Sequence, residues 1–403
     1  MAGQLFTRST RGMLASPVFR LSALSAATFA GIGIYMPFFP IWLESRGITP
    51  GAIGILVAIP LVIRIIATTP LVSLTERGID ARYLLAGAQI VLALLYIVLL
   101  GLDSVWTIGL VVACIALAQA PLTPTSDLLT TDAVREDPSL NYGRIRLWGS
   151  LAFLLCNIGA GYMLASTPAD AVIIALILIS LTAAAISIRA PARAVDREPG
   201  TPRPPPRPLP AALVWFIAGG ALLQGSHATV YGFGSIEWRA QGISESVIGW
   251  LWAIGVIAEV ILFWLIGRGV GRGADSRILM LMGAVAALIR FTGLALTPGI
   301  AVTFMLQILH GLTFGATHLG MMAALTRLAP QGSRGKAQGL FSAGMALVTA
   351  SGMVASGWVY PQLGPATYLL MLPLALAGGA CVLAGAARMR ADKPQPQSSR
   401  SGG

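Results

Sequence analysis

Charged side chains are scarce in this 403-residue chain: only 11% of its residues are Asp, Glu, Lys or Arg, whereas 56% are hydrophobic. A soluble domain needs about a quarter of charged residues, so this composition excludes a soluble globular protein. Histidine and cysteine are scarcer still, with three of each. Their spacing fits neither a metal site nor a disulfide, and Cys114, Cys156 and Cys381 are interpreted as small core residues. We expect no metal and no cofactor.

Apolar runs long enough to cross a bilayer recur along the whole chain. About 20 apolar residues in a helix, at a rise of about 1.5 Å per residue, span the hydrocarbon core. The pattern predicts an all-α polytopic membrane protein with twelve transmembrane helices. These spans, numbered 1 to 12, cover residues 18–43, 52–75, 82–101, 104–128, 142–165, 169–190, 210–236, 244–268, 277–297, 300–328, 335–360 and 364–387.

The net charge of +11 reflects 27 Lys and Arg against 16 Asp and Glu. Most of the basic residues fall in loops on the side of the N-terminus, while only Arg46 and Arg239 lie in the opposite loops. The positive-inside rule therefore predicts that both termini are cytoplasmic. This distribution indicates the lipid bilayer, and not nucleic acid, as the partner of the basic residues. The compact loops favour a bacterial inner membrane.

A stretch rich in Pro and Arg, residues 191–209, divides the spans into two sets of six. We predict that it is an extended cytoplasmic linker between an N-terminal half, 1–190, and a C-terminal half, 210–388, with a cytoplasmic tail at 389–403. The halves look related, because GITPGAIGIL at 47–56 aligns with GISESVIGWL at 242–251. Two parallel six-span repeats are typical of transporters with the substrate site between the halves.

Glu259 is the ionisable side chain in the apolar run 249–267. An acid inside the membrane is costly unless it faces the interior of the bundle, so it marks a functional site by default. The offset of 195 residues between the repeats places Arg64 at the equivalent position of the first half. We expect both side chains to face one central cavity, with a structural ion pair as the alternative for Arg64.

All three histidines, His227, His310 and His318, fall within predicted spans. Any one of them could serve as an interhelical hydrogen bond. Their occurrence beside Glu259 and Arg290 in neighbouring spans favours a function, because the proton occupancy of a buried carboxyl depends on nearby charges. The predicted proton-coupling residues are Glu259, Arg290, His310, His318 and Asp127.

Asp127 lies toward the cytoplasmic end of span 4. Its segment PLTPTSDL, 121–128, aligns within one residue with GLTFGATH, 311–318, so Asp127 is quasi-equivalent to His318. The alternative is a helix-end or loop carboxylate that pairs with Arg144 or Arg146.

The substrate is expected to meet an arginine and aromatic side chains in the central cavity. Arg64, or else Arg290, would hold a carboxylate, and aromatic residues of spans 1 and 7 would hold an apolar body. An interfacial aromatic belt is the alternative for part of the aromatic surface of span 1. The predicted substrate-binding residues are Arg64, His227, Tyr35, Phe38, Tyr231, Gln224 and Gln307.

Two short loops, LTERGIDARY at 74–83 and GRGVGRGADSR at 267–277, each join two spans. Here the chain resembles the major facilitator superfamily, whose loop signature is Gly-x-x-x-Asp-Arg-x-Gly-Arg-Arg. Glu76 and Arg77 stand where the signature has Asp-Arg, and Arg82 stands where it has its final basic pair. The resemblance implies two pseudo-symmetric six-helix halves.

Three further stretches are YGRIRLWGS at 142–150, LLQGSHATVYGF at 222–233 and QILHGLTFGATH at 307–318. They resemble the phenylpropionate permease family, which are proton symporters for small aromatic acids such as phenylpropionate and cinnamate. The chain is also similar to lactose permease in placing Glu, Arg and His on spans 8, 9 and 10. In this sequence those residues are Glu259, Arg290 and His310.

We therefore predict a secondary transporter that imports a small aromatic carboxylate with protons by alternating access. The alternatives are a proton-driven exporter of apolar compounds or drugs, and a sugar or nucleoside proton symporter of the same fold. The buried Arg64 favours an anionic ligand. No phosphate-binding loop and no nucleophile with a base is present, so an enzyme is not predicted. We expect a monomer.

Overall fold

A computed structural model of the protein describes residues 16–137, 139–192, 207–268 and 275–391. All regular elements in these ranges are helices, which confirms the all-α polytopic fold class. The predicted linker, 191–209, and tail, 389–403, lie largely outside the described residues. Spans 1 to 12 correspond in order to the helical segments Pro17–Ser45, Pro50–Ser73, Ala81–Leu100, Val105–Glu136, Tyr142–Leu164, Asp170–Ile188, Ala211–Ala240, Glu245–Gly267, Ser276–Ala295, Ile300–Leu328, Arg334–Leu363 and Met371–Ala391.

The last two spans form one helical stretch, Arg334–Ala391. Among the described residues, 11 stretches are apolar and long enough to cross a membrane, and this one is the longest of them. Gly364 divides it, with a φ of +50° that favours glycine because it has no Cβ. A single 3-10 segment, Gly364–Leu370, then leads into span 12. Span 12, predicted to begin at about residue 364, thus opens with this 3-10 segment, and its α-helix begins at Met371.

In the described ranges, three spans are interrupted near the midpoint of their own length. Span 4 is divided at Pro121, span 7 at His227, and span 10 by the π-helix Gly311–Ala316. Proline lacks the backbone N–H that continues a helix, which accounts for the break in span 4. Irregular backbone within a span occurs where it is buried in protein or lines a cavity, and π-helices are frequent at functional sites.

Glycines bring the two halves into close contact at one end of the bundle. We call this the outer end; it is opposite the inner end, at which span 1 begins. A Cβ on Gly54 of span 2 would lie 2.5 Å from the carbonyl oxygen of Met353 in span 11. A Cβ on Gly161 of span 5 would lie 2.5 Å from the carbonyl oxygen of Glu245 in span 8. Only glycine permits these approaches, as in other close helix pairs within membranes.

Polar contacts between the halves reinforce the same end. Arg239 of span 7 lies 3.6 Å from the carboxylate of Glu44 in span 1. The indole of Trp250 in span 8 donates to the hydroxyl of Tyr162 in span 5 at 3.4 Å. Together with the glycine contacts, these interactions hold the two halves together at the outer end of the bundle.

Candidate functional site

Two adjoining chambers lie between the six-helix halves. The first, of about 440 Å³, contains Arg290 and is called the Arg290 chamber. The second, of about 260 Å³, contains Arg64 and is called the Arg64 chamber. The wall between them consists of four residues that line both: Ile32, Met36, Tyr231 and Phe314. Because spans 1, 7 and 10 supply this wall, both halves of the repeat contribute to each chamber.

The Arg64 chamber combines one cation with apolar and aromatic walls. Arg64 projects from span 2, and no described residue hydrogen-bonds to its side chain or forms an ion pair with it. Arg64 also lines a small pocket of about 50 Å³. In that pocket Gln119 donates to the hydroxyl of Tyr96 at 3.2 Å. The apolar walls include Tyr35, Phe39, Pro60, Leu61, Met345 and Met353.

The aromatic residues of span 1 divide between the chamber and the core. Tyr35 stacks on Phe39 with ring centroids 4.5 Å apart, and both line the Arg64 chamber. Phe38 is 0% exposed, belongs to the packed core and lines neither chamber. Successive residues of a helix point about 100° apart, so Phe38 cannot share the face of Phe39. The structure therefore does not place Phe38 among residues that could touch a substrate.

Arg290 is held in place by neutral side chains. It is 1% exposed, and its Nη2 donates to the amide oxygen of Gln307 at 2.6 Å. Its Nη1 lies 3.2 Å from Nδ1 of His310 and donates to the hydroxyl of Thr313 at 3.2 Å. A guanidinium can only donate, so Nδ1 of His310 is the acceptor in this bond. Arg290 therefore keeps its charge inside the bundle with hydrogen bonds but with no carboxylate within ion-pair distance among the described residues.

His227 extends this network into span 7. Its Nδ1 donates to the backbone oxygen of Gln224 at 2.9 Å, since a carbonyl can only accept, and its Nε2 lies 2.9 Å from the hydroxyl of Thr313. The side-chain amide of Gln224 donates to the backbone oxygen of Phe314 at 3.1 Å. The break in span 7 is thus hydrogen-bonded to the π-helix of span 10, and both are connected to Arg290.

Glu259 lines the Arg290 chamber from span 8. Over the described ranges it has no hydrogen bond and no ion pair, although Arg290 and His310 line the same chamber. Its repeat-related counterpart, Arg64, lines the Arg64 chamber. They line adjoining chambers that share a wall. The roles predicted for these residues in proton coupling and substrate binding remain predictions.

The π-helix aligns the rings of span 10 in a column. Phe314 stacks on His310 at 5.3 Å and on His318 at 6.2 Å, with interplanar angles of 22° and 5°. In a regular helix His310 and His318 would be offset by about 80° around the axis. The wider π-turn reduces this offset. His318 lies outside the residues that line the two chambers, so its predicted coupling role has less support than that of His310.

Asp127 contacts span 5 near the inner end of the bundle. Its Oδ1 accepts a hydrogen bond of 3.2 Å from the hydroxyl of Tyr142. Arg146 is close enough to interact with it electrostatically, without forming an ion pair. The structure thus places Asp127 beside the arginine of the alternative interpretation and outside the two chambers.

Arg146 is a site residue that the sequence interpretation missed. Its guanidinium lies 3.6 Å from the centroid of the Phe29 ring and lines the Arg290 chamber with Glu259. The sequence analysis counted it among the basic residues that set topology, because it stands close to the start of span 5. The motif YGRIRLWGS, which carries the family resemblance, was the signal that could have identified it. Trp252 also lines this chamber.

Comparisons with known proteins agree with this architecture. The chain is 34% identical over 364 residues to the "Probable 3-phenylpropionic acid transporter" of Escherichia coli strain K12, an alignment that covers 86% of this chain and 92% of that protein. It is 26% identical over 325 residues to the maltose permease of Geobacillus stearothermophilus, with coverage of 78% and 80%.

Solved structures support the same fold. The crystal structure of the nucleoside transporter NupG superimposes with a TM-score of 0.75 at 16% identity, covering 93% of this chain and 99% of that one. The crystal structure of a D-xylose–proton symporter has a TM-score of 0.69 at 13% identity, with coverage of 92% and 97%. Residues 18–371 match the MFS_1 like family. With a matching fold, twelve spans and paired chambers between its halves, the chain is a membrane transporter, and it belongs to the MFS_1 like family of the major facilitator superfamily.

Proposed function

We propose that this transporter takes up small aromatic carboxylates together with protons by alternating access. The observation that carries the proposal is Arg64, a cation without an acidic partner among the described residues, in a chamber with aromatic and methionine walls. A guanidinium binds a carboxylate through parallel hydrogen bonds, and aromatic walls accept an apolar ring. A volume of about 260 Å³ is near the lower end of typical ligand pockets, which suits a small ligand.

Glu259 is the residue that we assign to the coupling proton. It lines the neighbouring chamber with Arg290 and His310. A carboxyl with no hydrogen-bond partner inside a bundle exchanges protons according to the charges around it. The similarity to a probable 3-phenylpropionic acid transporter supports the ligand class.

Two further inferences concern the orientation of the protein in the membrane and its oligomeric state. We infer that both termini are cytoplasmic in a bacterial inner membrane, because the basic loops lie on the side of the N-terminus. We also infer that the carrier acts as a monomer, since one chain supplies both halves of each chamber.

Uptake of labelled 3-phenylpropionate into proteoliposomes tests the proposal. An inward proton gradient should drive accumulation by the wild type, and Glu259→Gln should abolish accumulation while sparing exchange of ligand across the membrane. Glu76→Gln is the matched control, because Glu76 is exposed in a loop and should behave as the wild type.

Two results would contradict the proposal. Gradient-driven accumulation that persists in Glu259→Gln would show that Glu259 does not carry the coupling proton. Competition by neutral or cationic analogues, but never by carboxylates, would favour an exporter of apolar compounds instead.

A further inference from the structure

Two polar groups of the Arg64 chamber have no hydrogen-bond partner among the described residues. They are the side-chain amide oxygen of Gln224 and the hydroxyl of Tyr35. Both residues line this chamber, Gln224 from span 7 and Tyr35 from span 1. Gln224 is 2% exposed, so its amide lies inside the bundle. Because a buried polar group without a partner costs free energy, a ligand that supplies the partner gains affinity.

The orientation of the Gln224 amide follows from its other contact. One end of the amide lies 3.1 Å from the backbone oxygen of Phe314, and a carbonyl can only accept, so that end is the nitrogen. Phe314 belongs to the π-helix of span 10 and lines the same chamber. The oxygen is therefore the end without a partner. An amide oxygen only accepts, so the group that it lacks is a donor.

Tyr35 is held through its ring. The ring stacks on that of Phe39 at 4.5 Å, while the hydroxyl stays without a partner among the described residues. A phenolic hydroxyl can donate and accept. A hydroxyl on the ligand suits both residues, because it donates its proton to the Gln224 oxygen and keeps lone pairs that accept from Tyr35. A second carboxylate does not suit Gln224, since no proton would lie between the two oxygens.

We propose that the Arg64 chamber selects aryl carboxylates that carry a hydroxyl on the ring, and that Gln224 determines this specificity. Arg64 binds the carboxylate, and the ring hydroxyl donates to Oε1 of Gln224 and accepts from Tyr35. The inference rests on the proposed function and narrows its substrate class. A site built to hydrogen-bond a ligand hydroxyl discriminates against the analogue without it, because the polar groups of the site then stay unpaired.

The two ends of such a ligand contact different halves of the carrier. Arg64 and Tyr35 belong to the N-terminal half, whereas Gln224 belongs to the C-terminal half. A hydroxylated acid can therefore hydrogen-bond to both halves, and 3-phenylpropionate only to the first. Substrate sites between the two repeats are typical of transporters of this architecture.

Binding of a matched series of acids to the purified full chain tests the inference. The series consists of 3-phenylpropionate, its 3-hydroxyphenyl and 4-hydroxyphenyl analogues, and 3-(4-fluorophenyl)propionate. Fluorine is close to a hydroxyl in size but cannot donate. The wild type should bind at least one hydroxylated acid about tenfold more tightly than 3-phenylpropionate, the worth of one hydrogen bond to a buried group. The fluorinated acid should bind as 3-phenylpropionate does.

Gln224→Met removes the amide and keeps a side chain of similar length. Its affinity for the hydroxylated acid should fall to that for 3-phenylpropionate, which should still bind. Tyr35→Phe leaves the contact between Gln224 and Phe314 intact and should reduce the preference to about threefold, because the ligand's hydroxyl loses a donor but keeps its acceptor.

Gln119→Met is the matched control. Gln119 lines the same chamber, but its amide nitrogen donates to the hydroxyl of Tyr96. The substitution should change the affinities for all four acids alike and retain the preference for the hydroxylated one. A preference that is lost in Gln119→Met and kept in Gln224→Met would overturn the assignment to Gln224.

The remaining outcomes separate the inference from the proposed function. Equal binding of the four acids by the wild type would overturn the inference alone. If Gln224→Met unfolds at a lower temperature and binds none of the acids, Tyr35→Phe decides, and an unchanged preference in that variant would overturn the inference. A wild type that binds none of the four acids would overturn the proposed function, and the inference with it.

Discussion

The two chambers hold their arginines in opposite ways. Arg64 lines an apolar chamber and has no partner within the described residues, whereas Arg290 is 1% exposed and hydrogen-bonded to His310, Thr313 and Gln307. A cation without a partner can exchange anions, because no internal bond must break when a ligand leaves. A cation held by neutral partners keeps one position and exerts a constant field. This contrast underlies the proposed roles, in which the first chamber binds the ligand and the second holds the coupling proton.

The neutral partners of Arg290 explain how a buried charge is tolerated there. Hydrogen bonds to neutral oxygen and nitrogen satisfy most of its donors without cancelling its charge. Gln307 also donates to the backbone oxygen of Leu251 at 3.0 Å, which fixes the orientation of its amide. The network therefore positions the cation firmly, and no carboxylate among the described residues cancels its charge.

The largest effect is expected from Arg64→Gln. The substitution removes the cation that we assign to the ligand's carboxylate, so affinity for 3-phenylpropionate should fall by about 2–5 kcal/mol, or about thirtyfold or more. Arg64→Lys keeps the charge and should lose less. Thermal stabilisation of the purified protein by the ligand measures both. Equal binding by the wild type and Arg64→Gln would refute the assignment of this chamber to the ligand.

An intermediate effect is expected from Arg290→Lys. One ammonium cannot reproduce the two guanidinium nitrogens that hydrogen-bond to His310, Thr313 and Gln307. The free energy of unfolding should fall by about 1–3 kcal/mol, seen as a lower melting temperature in the absence of ligand. Arg64→Lys is the control and should melt as the wild type does. If both lysine variants melted alike, the contrast between the two arginines would disappear.

The smallest effect is expected from Met36→Ala, which opens the wall between the chambers. Removing part of a side chain that lines both should admit bulkier aromatic acids and reduce the preference for 3-phenylpropionate by about 1 kcal/mol. Met345→Ala is the matched control, since Met345 lines only the Arg64 chamber. Both variants should alter ligand preference in competition assays, but only Met36→Ala should also alter the pH dependence of uptake. The same pH profile in both would argue against a functional wall.

The spans could be predicted closely because the bilayer imposes a length and a composition on each of them. Predicted and observed spans agree within a few residues for most of the chain, as for span 5, predicted at 142–165 and observed at Tyr142–Leu164. The predicted end of span 4, at residue 128, was less accurate, since its helix continues to Glu136. Its last turns are polar and lie beyond the apolar run, so hydropathy could not locate their end.

The residues of the site could be predicted in part. Buried charged groups are costly in a membrane, and this rule alone selected Glu259, Arg64 and Arg290. It could not show that Arg290 has only neutral partners or that Arg64 and Glu259 line different, adjoining chambers. Arg146 was missed because a basic residue near the start of a span is expected from the positive-inside rule, whether or not its side chain also lines a cavity. Whether such a residue sets the topology or lines a cavity depends on its distances to residues of other helices. The sequence pattern along one helix does not give those distances.

The sequence by itself determined the membrane fold, the repeated halves and the identity of the costly charged residues, since hydropathy, internal alignment and the penalty for buried charge act locally along the chain. Only the tertiary structure decided which of those residues share a chamber. The π-helix that contains Phe314, and the break in span 7 just before Tyr231, turn their side chains into the wall between the halves. That placement depends on helix packing, because the same residues on regular helices would face other neighbours.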